Sequence, residues 1–173
     1  MSRIILITGG ARSGKSRLAE HLAASFGSPL GYLATSEARD PEMDQRIARH
    51  RERRGPEWTT LEEPLRLTET LVAYDACFQA VLVDCITLWL TNLLLGCDDP
   101  EQVMAVVHEF TQVAPGLTTP IILVTNEVGM GIVPENRLAR TFRDLAGEAN
   151  ELLAATADEV HMVVSGIPLK LKG

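Results

Sequence analysis

The sequence predicts an α/β fold in three layers: a mostly parallel sheet flanked by helices, with a short antiparallel strand at the C-terminal end. Three observations predict it. Short apolar runs alternate with helical patterns along the chain, the signature of parallel strands joined by crossover helices. Several runs are apolar without interruption, as strands covered on both faces require. The first of them, Ile4-Ile5-Leu6-Ile7, leads into Gly9-Gly10-Ala11-Arg12-Ser13-Gly14-Lys15-Ser16, which meets the pattern G-x-x-x-x-G-K-[ST] at every fixed position. The expected fold is therefore of the P-loop NTPase type.

The first strand is expected at residues 3–8 and the first helix at 15–26. In the loop between them, Gly9 and Gly14 free the backbone to turn successive N–H groups toward phosphate oxygens. Lys15 is placed to reach the β- and γ-phosphates and the Ser16 hydroxyl to hold Mg²⁺, while the helix adds its positive dipole end. A strand at 31–35, a helix at 42–53, a short strand at 58–61 and a helix at 64–74 follow. The strand at 80–84 ends on Asp84 after four apolar residues. That is the form of a Walker-B strand, whose carboxylate serves Mg²⁺. A helix expected at 86–95 leaves a capping role for Asp84 open beside it. A helix at 100–113, a strand at 120–125, a helix at 135–155 with Pro134 at or beside its first position, and a strand at 159–164 complete the alternation. The stretch from Val164 to Leu169 reads as a turn into the last, antiparallel strand. In such sheets ligands sit beyond the carboxyl ends of the strands. That rule singles out Thr35 and Ser36, Asp84, and Thr125, Asn126 and Glu127.

A chain of 173 residues fits a single domain spanning 1–173, able to bury roughly 70% of its unfolded surface. A net charge of −7 and a pI near 5.1 argue against a nucleic-acid partner held by bulk electrostatics. No basic, apolar, small-residue leader opens the sequence, so a cytoplasmic protein without a signal peptide is expected. The apolar segment 76–97 carries one charge, Asp84. Inserting that charge in a bilayer costs about 2.5–3.5 kcal/mol, so no membrane insertion is expected. Cys77, Cys85 and Cys97 lack metal-type spacing and read as buried or free thiols in a reducing cytosol.

The run Arg46-Ile47-Ala48-Arg49-His50-Arg51-Glu52-Arg53-Arg54 concentrates positive charge in an acidic protein. A solvated helix face is one reading of it. The other is an anion site, since Glu52 is the only acid in the run and forked guanidinium donors suit phosphate. His50 reads either as a surface residue or as a nucleophile, kept unprotonated by neighbouring arginines that would also stabilise a phosphorus centre under attack. The stretch from Val124 to Arg137 is a ligand wall or an ordinary strand-to-helix connection; its residues do not decide between the two.

Taken together, these residues closely resemble the bifunctional adenosylcobinamide kinase / adenosylcobinamide-phosphate guanylyltransferase family of cobalamin biosynthesis. The resemblance is carried by Thr8 to Ser16, by Tyr32-Leu33-Ala34-Thr35-Ser36, by the run from Val124 to Arg140, and by Asp158-Glu159-Val160 through Gly166. It is weakest at 58–79 and 96–119.

The resemblance implies two reactions. ATP or GTP phosphorylates the terminal hydroxyl of the aminopropanol arm of adenosylcobinamide; GMP is then transferred from GTP to that phosphate through a GMP–histidine intermediate. The histidine falls in the pattern Arg-Ile-x-x-His, here ending at His50, where Arg49 stands in place of the second histidine of some relatives. The resemblance also implies catalytic roles for His50 and Lys15, and triphosphate binding by Gly9, Gly10, Ala11, Arg12, Ser13, Gly14, Lys15 and Ser16. It places Ala34, Thr35, Ser36, Arg51, Glu52, Arg53, Arg54, Glu62 and Asp84 around the nucleotide, Mg²⁺ on Ser16 and Asp84, and the chain in a homotrimer. No residue identifies itself as a general base for the kinase step.

Two other readings are weighed against it. A single-function small-metabolite kinase needs the phosphate loop but neither His50 nor its arginines. A GTP switch is disfavoured because Thr125-Asn126-Glu127-Val128 is not Asn-Lys-x-Asp, and because Asp144-Leu145-Ala146-Gly147 falls inside an expected helix.

Overall fold

The computed structural model describes residues 3–36 and 54–173; the helix expected at 42–53 lies outside them. Among the described residues seven strands form one sheet: β1 (Ile4–Gly9), β2 (Leu30–Ala34), β3 (Trp58–Glu62), β4 (Ala80–Asp84), β5 (Ile121–Val124), β6 (Glu159–Val164) and β7 (Ile167–Lys172). Their order is β3-β2-β4-β5-β1-β6-β7. Every pairing is parallel except β6 with β7. The described helices are α1 (Lys15–Ala24), α2 (Leu67–Ala73), α3 (Ile86–Cys97), α4 (Pro100–Val113) and α5 (Arg137–Thr156).

Period-two alternation in the strands divides the core into two. Ile4, Leu6, Leu33, Val81, Val83, Ile121 and Leu123 face α2 to α5, packing around Trp89 and Phe110. Ile5, Ile7, Tyr32, Ala34, Leu82, Ile122 and Val124 face the other way, onto Ala19 and Ala23 of α1. Burial on both faces explains why β1, β4 and β5 read as uninterrupted apolar runs. No helix among the described residues is long and apolar enough to cross a membrane.

Three expectations are corrected. The helix expected from residue 64 starts at Leu67, because the Glu63 carboxylate accepts the N–H groups of Leu65 and Arg66 and turns the chain first. The helix expected from residue 135 starts at Arg137, capped by Asn136, whose side chain accepts the Ala139 N–H. Pro134 thus lies two residues before the cap, not at the first helical position; its carbonyl accepts from Arg140 Nη1 at 2.9 Å. Asp84 does not cap α3, whose N-cap is Cys85. The expected antiparallel ending is present. Ser165 (φ 51°) and Gly166 (φ 81°) turn β6 into β7 as a two-residue hairpin with both central residues left-handed.

Candidate nucleotide site

The carboxyl ends of the parallel strands form the site, and the order of the sheet decides who meets there. Register places Glu62, Ala34, Asp84 and Val124 in one row across β3, β2, β4 and β5. Val124 pairs in turn with Ile7, just ahead of the glycine loop. With strands about 4.8 Å apart, Glu62 and Asp84 stand roughly 10 Å from each other on either side of Ala34.

The phosphate loop is shaped by close backbone approaches. A side chain at Gly9 would place its Cβ 2.5 Å from the carbonyl oxygen of Val163 on β6, so only glycine fits between the strands. Gly14, at φ 98°, is the N-cap of α1 and takes a left-handed conformation that glycine adopts freely. From outside, the β6–β7 turn fastens the loop: Gly166 donates its N–H to the Ser13 carbonyl at 2.8 Å. From the β5 side, Glu127 donates its N–H to the Gly9 carbonyl at 3.0 Å. Lys15 is 8% exposed and its Nζ donates to the Gly10 carbonyl at 3.0 Å, so the ammonium is folded against the loop it serves. The Ser13 hydroxyl is buried with no hydrogen-bond partner among the described residues, a donor suited to a phosphate oxygen.

The neighbouring β2–β4 side is built from side chains. Thr35 is fully buried; its hydroxyl donates to the Cys85 carbonyl at 2.7 Å and accepts the Cys85 N–H at 2.9 Å. That hydroxyl ties the ends of β2 and β4 together and so supports the site from beneath. The Thr35 carbonyl accepts from Asn92 of α3 at 2.8 Å. Tyr32 donates its hydroxyl to Asp84 Oδ2 at 3.1 Å, and the Arg54 guanidinium lies over its ring, 3.3 Å from the centroid. Burial, reinforced by the Asp84 charge, pushes the Tyr32 phenol well above its ordinary value of 10.0, so it stays a donor. Burial likewise lifts the Cys85 thiol to about 11, with Asp84 adding to the shift.

Beyond β5, Thr125 donates to Asn150 of α5 at 2.8 Å, and Asn126 donates its N–H to the Thr87 hydroxyl at 2.7 Å. These bonds hold the start of the 126–136 loop beside the phosphate loop. The apolar side chains of Val128, Met130, Ile132 and Val133 stand exposed on that loop.

The structure thus brings together Gly9 to Ser16, Ala34, Thr35, Ser36, Asp84 and Arg54, with Glu62 at the exposed end of β3. His50, Arg51, Glu52 and Arg53 lie outside the described residues. Sequence reasoning did not single out Tyr32, Thr87, Asn92 or Asn150 as individual contributors. Thr87 and Asn92 carried a signal nonetheless, since polar residues inside the apolar stretch of α3 require buried partners.

Ser16 and Asp84 offer hydroxyl and carboxylate oxygens, the hard donors that suit Mg²⁺. Among the described residues no group of three or more His, Cys, Asp or Glu could hold a metal ion.

Residues 5–171 match the family model for cobinamide kinase / cobinamide phosphate guanyltransferase. The chain is 49% identical over 168 residues to the bifunctional adenosylcobalamin biosynthesis protein CobP of Pseudomonas aeruginosa, covering 97% of this chain and 96% of that one. It is 48% identical to the bifunctional adenosylcobalamin biosynthesis protein CobU of Salmonella typhimurium, covering 98% and 99%. Similar folds at 14% identity occur in the flagellar accessory protein FlaH of Methanocaldococcus jannaschii (TM-score 0.54, covering 98% of this chain and 78% of that one). The P4 protein of bacteriophage phi6, solved in complex with ADP, is similar at 14% identity (TM-score 0.51, covering 97% and 54%).

Proposed function

The chain belongs to the cobinamide kinase / cobinamide phosphate guanyltransferase family and is a bifunctional enzyme of that kind, and from this premise we propose how its residues divide the two reactions. The observation that carries the proposal is the phosphate loop, with Lys15 folded against it, set beside an acid-ended strand and an arginine.

In the kinase step the loop amides from Gly9 to Ser16 and the Lys15 ammonium hold the triphosphate in line with the acceptor hydroxyl of adenosylcobinamide. Positioning and charge stabilisation supply most of the catalysis. Mg²⁺, bound through Ser16 and Asp84, would neutralise charge on the phosphates. In the transfer step a ring nitrogen of His50 attacks the α-phosphorus of GTP: a P–N bond forms, the bond to the bridging oxygen breaks, and pyrophosphate leaves. A phosphate oxygen of adenosylcobinamide phosphate then attacks that phosphorus and expels His50. Arg51, Arg53 and Arg54 balance the negative charge at the reacting phosphorus, Ala34, Ser36, Glu52 and Glu62 border the nucleotide, and the fully buried Thr35 supports them from beneath.

A homotrimer is part of the same proposal. It is supported by β7, an edge strand whose Ile167, Leu169 and Leu171 stand exposed along alternate positions and suit burial against another copy. Light scattering coupled to gel filtration would read three times the chain mass, against one for a monomer. A cytoplasmic location is supported by the free thiols of Cys77, Cys85 and Cys97.

The test uses GTP labelled at the α-phosphate, with Mg²⁺ and no acceptor. Acid-labile, alkali-stable label is expected on the denatured wild-type protein and not on His50→Ala. Unlabelled wild-type protein that still makes adenosylcobinamide-GDP would overturn the covalent route.

A further inference from the structure

Tyr32 touches both Asp84 and Arg54. It lies on the α1 face of β2 and is 6% exposed. The hydroxyl donates to Asp84 Oδ2, one ring face carries the Arg54 guanidinium, and the ring packs edge-on against Trp58 with centroids 6.3 Å apart. A donor on Oδ2 fixes how the Asp84 carboxylate is turned. The aromatic face fixes where Arg54 stands, and a desolvated cation over a ring is held more firmly than an exposed one. Arg54 Nε and Nη1 are buried and have no hydrogen-bond partner among the described residues. Each is a charged donor that suits an anionic acceptor such as a phosphate oxygen.

We propose that Tyr32 is a positioning residue for both reactions, its hydroxyl orienting Asp84 and its ring seating Arg54 for the transfer of GMP. The proposal rests on the division of labour given above. Tyrosine suits both roles because it joins an apolar body and a π face to a neutral donor at the ring's far end. Phenylalanine keeps the ring and loses the donor; leucine loses both.

The two variants separate the roles. Calorimetry of GTP binding, in EDTA and in Mg²⁺, reads the Asp84 arm without turnover; the initial rate of GMP labelling reads the Arg54 arm. For Tyr32→Phe, binding in EDTA stays at the wild-type value. The gain on adding Mg²⁺ shrinks about tenfold, the weight of one hydrogen bond to a charged group. Labelling at saturating Mg²⁺ falls less than about threefold. For Tyr32→Leu, binding in EDTA also weakens, and labelling falls at least about thirtyfold below the Phe variant. A Phe variant with an unaltered Mg²⁺ gain, or a Leu variant that labels as fast as the Phe variant, overturns the proposal. If Tyr32→Leu does not fold, Tyr32→Phe combined with Arg54→Gln replaces it: the combined loss must equal the product of the single losses if hydroxyl and ring act separately, and a smaller loss overturns the two-arm scheme. Should wild-type protein take no label while still making product, the covalent route fails; the Mg²⁺ arm then still decides the role of the hydroxyl.

Discussion

The two sides of the site are built differently. On the β1 side, the loop from Gly9 to Ser16 is held by main chain: Gly9 against the Val163 carbonyl, Gly166 N–H on Ser13, Glu127 N–H on Gly9. On the β2–β4 side the same job falls to side chains: the Thr35 hydroxyl on Cys85, Asn92 on the Thr35 carbonyl, Tyr32 on Asp84. A backbone-built cradle tolerates changes of side chain wherever glycine is not required. A side-chain-built wall fails one hydrogen bond at a time. The first kind suits a ligand common to both reactions, the triphosphate; the second suits features that differ between them.

Substitutions should break the two sides in different ways. The largest effect is expected at Gly9→Ala, where a Cβ would meet a backbone oxygen at 2.5 Å and neither strand can yield cheaply. Stability should fall by about 3 kcal/mol in urea titration, and GTP binding should be lost by calorimetry. Thr35→Val comes next. It leaves the Cys85 N–H buried and unpaired, costing about 2 kcal/mol of stability while GTP still binds. Asn92→Leu strips donors from the Thr35 and Pro64 carbonyls and should cost about 1.5 kcal/mol in the same titration. Gly166→Ala is milder, because its surroundings are open and only the left-handed φ of 81° resists a side chain. About 1 kcal/mol and a few-fold loss of GTP affinity are expected, since the turn still reaches Ser13.

The smallest effect is on pH dependence, and it lies away from both sides. At Glu63 burial acts to raise the pKa, but the Arg66 and Leu65 amides prevail and hold it below its ordinary 4.5. At Asp75 burial is likewise outweighed, by the Thr119, Thr118 and Ala76 amides, which hold it below 3.8. Asp99 is lowered chiefly by Gln102 and the Glu101 amide. A depressed folded pKa contributes stability that is complete above the unfolded value and lost as pH falls through the folded one. Melting temperature should therefore hold near neutrality and decline below about pH 4, less steeply in Asp75→Asn.

How much of this was readable in advance follows the same division. The cradle was legible because its determinants are contiguous: glycines, Lys15 and Ser16 lie within eight residues of a strand that is apolar on both faces. Asp84 was legible for the same reason, at the end of an apolar run. The wall was not, because its bonds join residues far apart in the chain: Tyr32 to Asp84 across 52 positions, Asn92 to Thr35 across 57. Only the sheet order, with β2 beside β4, makes them neighbours. The start of α5 was misplaced although its signal was present: Asn136 is a strong N-cap residue, and Pro134 drew the boundary two residues early.

The central claim is that one phosphate loop serves two reactions and that His50 serves only the second. The most direct test measures both products from a single His50→Ala preparation, supplied with adenosylcobinamide, GTP and Mg²⁺. The account predicts adenosylcobinamide phosphate at a rate within a few-fold of wild type and no adenosylcobinamide-GDP. Formation of adenosylcobinamide-GDP by this variant, or loss of phosphorylation in folded protein that still binds GTP, would contradict it.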